Sequence, residues 1–525
     1  MRGDAPGRRG AKANVPVGPP FTRILTGDEL GLIRVADVPF GPNWEGASVV
    51  ARWGTPDRSN AVVVMTVSAA GPGNIALLAV ARPTGKVDLL STETGAVVAT
   101  LPPPPPASAA TAASGGGHHS GVRAVPPPRV CAMAFVARPV GGAPSSSGSA
   151  AWAGALVTCA SSGVVRVHAP SPDAAAGAAA GSLPSAWVEQ RSFQACASVS
   201  AMAVDSTGRY IAVGGDACNV QVWDLDSSLP VWKAKGGKPN MVGLVDLVHV
   251  TALAFLLPAA VGKEDEEAGE GDEAAAAASN TRPAASGGEG AGEGAEGEVP
   301  RLRILAGTVK HKLWLYDTGV GKRPQLELAW GEARVTALAA QGPGRVWLAN
   351  GSGTIEALDV GARSTGHGLR GPGGSIRALC AQAGGEPGAP SLLASAGLDR
   401  FVRVHDTSSR RSLLKLYMKQ QLTGVMFAPV PDSVAAAAVA AARGGDAAGG
   451  AMAVAGVAEV RAEEEAEEDE EEAAAAAGGG DDGGGKKNKG GAAEGGGGGG
   501  KARKAGAGGG GAKDGPSNKK AKKAA

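Results

Sequence analysis

Residues Leu392–Thr423 read LLASAGLDRFVRVHDTSSRRSLLKLYMKQQLT. An apolar run ends in small residues, the step Gly397-Leu398-Asp399-Arg400 follows, and Phe401–Asp406 (FVRVHD) then alternates apolar and polar side chains. A repeat of two is the period of a strand, whose side chains point to opposite faces. Gly and Asp between two such runs form turns, Gly by tolerating positive φ and Asp by bonding nearby backbone N–H groups. The stretch therefore predicts two antiparallel, half-buried strands joined by a tight connection. Asp399 is expected to cap that turn rather than to do chemistry.

The unit recurs. Strands equivalent to FVRVHD are Leu32–Val38 (LIRVADV), Val87–Thr92 (VDLLST), Val164–Ala169 (VVRVHA), Val220–Leu225 (VQVWDL), Lys312–Asp317 (KLWLYD) and Thr354–Asp359 (TIEALD), which makes seven in all. Each follows a strand that ends in small residues, such as IAVGGDACN, ILAGTVKH or VWLANGSG. Ahead of these stand further strands such as VCAMAFVA, SVSAMAVD and VTALAFL. Ile355 and Val402 are 47 residues apart, close to the roughly 40–45 of a four-stranded propeller blade. The fold predicted over residues 21–430 is all-β, a seven-bladed WD40-type β-propeller. One extra strand, Gln421–Ala428 (QLTGVMFA), follows the seventh unit, and the first unit lacks a full set. Pairing the two closes the ring and removes a long free edge.

The 525 residues include 83 Gly and 35 Pro, concentrated in a few stretches. Residues 102–128 and 262–300 interrupt the repeat and cannot bury enough apolar area to offset ordering entropy, so they are expected to be disordered loops on the blades rather than linkers between domains. Residues 1–20 carry basic groups without an apolar secretory core and are expected to be disordered. Residues 431–525, rich in Ala, Gly, Glu and Lys, are expected to form a disordered tail. No run of 18 apolar residues is present, so no membrane span is predicted. The five cysteines, Cys131, Cys159, Cys196, Cys218 and Cys380, show no C-x-x-C spacing and are expected to be reduced thiols of a cytosolic or nuclear protein.

Three stretches resemble the WD repeat-containing protein 74 family of large-subunit ribosome assembly factors. They are Leu392–Thr423, with its G-L-D-R step and K-x-Y-x-K-Q-Q-L at Lys415–Leu422; Val220–Leu247 (VQVWDLDSSLPVWKAKGGKPNMVGLVDL); and Leu315–Ala339 (LYDTGVGKRPQLELAWGEARVTALA). Only Trp223-Asp224 is a literal WD pair, and no Gly-His opens the blades. The resemblance implies a scaffold without enzymatic activity, acting in nucleolar assembly of the large (60S) ribosomal subunit and in pre-rRNA processing. It implies partners in the pre-60S particle, namely assembly factors and ribosomal RNA, and release by an AAA-type ATPase, with a single copy in the complex. The alternative is a WD-repeat adaptor in another nuclear complex, such as a ubiquitin-ligase substrate receptor or a chromatin assembly.

No phosphate-binding loop, H-E-x-x-H or G-x-S-x-G occurs, so no catalytic residue, metal ligand or cofactor is predicted. His118-His119 sit in a Gly/Ser-rich insertion, and His168, His311 and His405 are expected to be structural. The candidate contacts for a partner or RNA fall in two groups: Trp232, Lys233, Lys235, Lys238 and Asn240, then Arg400, Lys415, Lys419 and Gln420. Loops of a propeller gather on its two faces, where such groups meet phosphate or acidic surfaces; the alternative is ordinary solvated lysines. In the tail an acidic run, Glu463–Glu472, precedes Lys486, Lys487, Lys489, then Lys501, Arg503, Lys504, then Lys519, Lys520, Lys522, Lys523. These clusters predict a nuclear or nucleolar address, or a sequence-independent phosphate grip.

Overall fold

The structure is a computed structural model that describes residues 21–39, 47–105, 128–138, 154–172, 174, 183–236, 248–257, 300–382 and 390–443. Residues 1–20, nearly all of both insertions, and the tail beyond residue 443 lie outside these.

Among the described residues, twenty-eight strands form seven four-stranded antiparallel sheets. The first sheet holds β1 (Phe21–Asp28), β2 (Ile33–Pro39) and β3 (Ser48–Trp53), and the second β4 (Val64–Val67), β5 (Leu77–Ala81), β6 (Val87–Ser91) and β7 (Val97–Leu101). The third is β8 (Val130–Val136), β9 (Ala155–Ala160), β10 (Val164–Pro170) and β11 (Trp187–Gln194), and the fourth β12 (Ala201–Val204), β13 (Tyr210–Gly215), β14 (Cys218–Asp224) and β15 (Leu229–Lys233). The fifth is β16 (Val250–Phe255), β17 (Arg303–Thr308), β18 (Lys312–Asp317) and β19 (Leu326–Ala329). The sixth is β20 (Val335–Ala340), β21 (Arg345–Asn350), β22 (Ile355–Asp359) and β23 (Ser364–Leu369). The seventh is β24 (Ile376–Gln382), β25 (Leu392–Gly397), β26 (Phe401–Asp406) and β27 (Ser412–Tyr417), after which β28 (Leu422–Ala428) returns to the first.

That return closes the ring as expected. β28 pairs antiparallel with β1, Arg23 opposite Ala428 and Gly27 opposite Gly424, giving the order β28-β1-β2-β3. The innermost strands of successive sheets contact one another around a complete cycle. The seven predicted strands equivalent to FVRVHD are the third strands of the seven blades. The strands flanking residues 258–299, β16 and β17, are hydrogen-bonded neighbours, so this insertion lies inside blade 5.

The core is divided among the joints. The described residues form seven apolar clusters, one between each pair of neighbouring blades; Ile24, Val402, Val404, Leu422 and Val425, for example, seal blade 7 against blade 1. This corrects the expectation of half-buried strands. The second strands β5, β9, β13 and β25 are buried at every position, because each blade is covered on both faces. Several polar positions of the third strands are buried as well: Arg34, Arg166, His168, Arg403 and His405. Outer strands such as β11 and β23 are largely solvated, and no clear alternation marks them in the sequence.

Two further expectations are corrected. Cys196 and Cys218 are joined as a disulfide, so the five thiols are not all reduced. Cys196 lies between β11 and β12, and Cys218 opens β14. Gly215 lets these segments approach, since a Cβ there would stand 1.9 Å from the Ser198 carbonyl oxygen. The proposed tail begins with order: α1 (Asp432–Arg443) is helical. Seven of its twelve residues are Ala, the strongest helix former, and Asp432 places negative charge at the positive end of the helix dipole.

Candidate functional site

Strands alternate in direction, so the turn between a blade's second and third strands opens on the same ring face as the exit from its outer strand. Arg400 and Lys419 therefore share one face. Arg400 is exposed at the tip of the β25–β26 turn with φ +63°, and its carbonyl accepts a bond from Met418 N at 2.8 Å. Lys419 follows, half-buried and with φ +59°. Gln420 is half-buried, its N–H turned to the Met418 carbonyl at 2.6 Å. Lys415 is exposed on β27, opposite Arg403, with Nζ 4.5 Å from the centre of the Phe401 ring.

The first candidate group lies elsewhere. Lys233 ends the outer strand of blade 4 and Lys235 follows it, both exposed. Lys235 N donates to the Lys322 carbonyl of blade 5 at 2.6 Å. Lys238 and Asn240, and all the tail lysines and Arg503, lie outside the described residues. Trp232 is corrected as a contact: it is buried in the joint between blades 4 and 5, edge-on to Tyr316 at 5.6 Å. Blades 4 and 7 are separated by two blades one way and three the other, so the two groups form two surfaces.

Asp399 caps its turn as expected, accepting from Gly373 N at 3.1 Å and Phe401 N at 3.3 Å, and it pairs with the buried Arg403. His405 Nε2 meets the Arg370 carbonyl at 3.2 Å, which ties blade 7 to the connection leaving blade 6. In blade 3 Arg166 does the equivalent, donating to the Pro102 and Pro103 carbonyls at 2.8 and 3.4 Å. Burial, with the Arg166 charge beside it, pushes His168 from its ordinary 6.5 down to about 4. The folded state thus holds His168 neutral while the unfolded chain binds a proton below about pH 6.5. This stabilisation is complete above pH 6.5 and is lost as pH falls towards 4, by at most about 3 kcal/mol. Urea midpoints should therefore drop between pH 7 and 4.5, and His168→Gln should flatten the decline; an unchanged slope in that variant would refute the assignment.

Tyr417 was not singled out from the sequence, although it sits within the quoted K-x-Y-x-K. It is 51% exposed beside Lys415, its ring 5.1 Å from Phe401. The signal was a large aromatic flanked by two lysines at the end of an outer strand.

Among the described residues no three His, Cys, Asp or Glu side chains group as a metal site. A closed ring of seven such blades, whose exposed loops carry the candidate contacts, is the architecture of a WD-repeat scaffold. The chain is similar to WD repeat-containing protein 74 of Homo sapiens, 33% identical over 129 residues, which is 24% of this chain and 32% of that protein. The same protein of Bos taurus and of Mus musculus matches with the same identity and coverage. The match thus spans about a third of the length of these curated relatives. No family model matches the chain.

Proposed function

We propose that this chain is a non-catalytic WD-repeat scaffold in nucleolar assembly of the large ribosomal subunit and pre-rRNA processing. The observation that carries this reading is the similarity to WD repeat-containing protein 74, read with the family resemblance of the blade 4, 5 and 7 segments. In this role the ring would hold pre-60S assembly factors and ribosomal RNA. The surfaces at Lys233–Lys235 and at Arg400, Lys415 and Lys419 would supply contacts, and an AAA-type ATPase would release the chain. The lysine clusters from Lys486 onward would serve as its nucleolar address.

The test is affinity purification of the tagged full chain from its native cells, followed by gradient sedimentation and by imaging of the same fusion with and without Lys486–Ala525. The expected result is co-migration with pre-60S particles and loss of nucleolar enrichment in the shortened chain. Co-purification of a cullin-type ligase or a chromatin complex, with no pre-60S material, would overturn the proposal.

A further inference from the structure

Charge is unevenly spread around the ring. Downstream of the insertion in blade 5, residues 301–420 carry 17 Lys and Arg against eight Asp and Glu, whereas residues 21–250 carry 15 against 14; residues 251–300 add two against eleven. On the face that carries the Arg400 turn, Arg334, Arg370, Arg377 and Arg400 are all exposed. The loops bearing them are bonded to one another or to the next turn: Gly351 N to Arg334 O at 3.0 Å, Leu398 N to Ser375 O at 3.0 Å, and Met418 N to Arg400 O at 2.8 Å.

Between blades 6 and 7 this basic arc meets an aromatic pair. Arg403 and His405 face blade 6, because a Cβ on Gly371 would stand 3.3 Å from the Arg403 side chain and His405 reaches the Arg370 carbonyl. Phe401 lies on that same face beneath the Arg403 guanidinium, 5.1 Å away, and Lys415 and Tyr417 stand across from it on β27. On the blade 6 side, nothing lies within 4 Å of where a Cβ would stand on Gly366 of β23 or on Gly373 in the connection to β24. An exposed ring buttressed by a second ring, with the cations Arg370, Arg400, Lys415 and Lys419 on the surrounding strand and loops and open space at Gly366 and Gly373, suits a stacked base with phosphates on either side. An acidic peptide would use the cations and leave the Tyr417 ring without a partner.

We infer that the corner between blades 6 and 7 binds single-stranded RNA, with Tyr417 stacking a base and Arg370, Arg400 and Lys415 holding the adjoining phosphates. The choice of RNA over DNA rests on the proposed function; the fit to an unpaired polynucleotide rests on the geometry.

The test uses the purified full chain and a 20-nucleotide uridine RNA containing 4-thiouridine. After irradiation, cross-linked peptides are mapped and affinity is read by fluorescence anisotropy. Cross-links are expected at the peptide holding Tyr417. Tyr417→Ala, at a half-exposed position, should weaken binding at least about five-fold, with Tyr417→Phe close to the parent protein. Arg400→Asn, which suits the left-handed backbone there, combined with Lys415→Gln should lower the slope of log affinity against log salt by about 1.4. Cross-links confined to residues 444–525, or tighter binding of the matching DNA, would overturn the inference. So would full displacement by a glutamate decamer together with an unaffected Tyr417→Ala. Cross-linking at Tyr417 by a chain that never sediments with pre-60S particles would sink only the proposed function; sedimentation without this cross-link would sink only the inference.

Discussion

A chain ending at Gln421 is expected to lose the folded ring as a whole rather than one strand of it. β28 is the innermost strand of blade 1, hydrogen-bonded to β1 from Arg23 to Asp28. Leu422 and Val425 are at most 1% exposed and belong to the apolar cluster between blades 7 and 1. Gly424 packs against Met65 of blade 2, where a Cβ would stand 2.7 Å from the Met65 side chain, so the strand also touches the next joint. Exposing two buried aliphatic side chains costs about 3–6 kcal/mol. The unpaired β1 edge and the two opened joints add to this, against a total stability of about 5–15 kcal/mol for a typical protein. Removal of residues 422–525 should therefore abolish the cooperative thermal transition and expose the blades to protease, while removal of residues 444–525 should leave the transition in place. A chain ending at Gln421 that melts like the intact protein would show that the ring does not need its last strand.

The sequence made this strand visible because QLTGVMFA is an apolar, β-prone run that stands one strand beyond a complete repeat. The seven third strands were visible for a similar reason, each ending near an Asp or small turn residue. What alternation could not convey is that both faces are covered. Arg166 and His168 have the polar look of a solvated face, yet each is at most 3% exposed: the exit loop of blade 2 supplies carbonyl partners to Arg166 and burial holds His168 neutral, which no local pattern announces. The outer strands were missed because solvent sits on their far side: β11, WVEQRSFQ, has polar groups at most positions. The Cys196–Cys218 bond joins different elements across a joint, which spacing along the chain does not encode. Of the candidate contacts, the exposed lysines and Arg400 were legible as charge near turns. Trp232 was misjudged because its lysine neighbours face water while its own side chain, on the alternate position, faces blade 5.

The largest effect of a single substitution is expected at Asp28. Its carboxylate is fully buried and accepts from Leu30 N at 3.0 Å, Leu32 N at 2.9 Å and Arg34 Nη1 at 2.6 Å. Three different tasks thus meet on one side chain: it shapes the β1–β2 turn, satisfies two backbone donors and neutralises a guanidinium that is only 7% exposed. Asp28→Ala leaves Arg34 charged and buried without its partner, a change that costs about 3–5 kcal/mol, and it strands two donors besides. The blade 7 counterpart, Asp399 with Arg403, is less enclosed at 13% carboxylate exposure, so Asp399→Ala should cost less. Because most of the damage comes from the orphaned charge, Asp28→Ala combined with Arg34→Met should recover much of the stability, whereas Arg34→Met alone should be milder than Asp28→Ala. Urea unfolding of the four chains gives the coupling energy directly. A double variant no more stable than Asp28→Ala would mean that the turn bonds, and not the buried ion pair, are what hold blade 1 in shape.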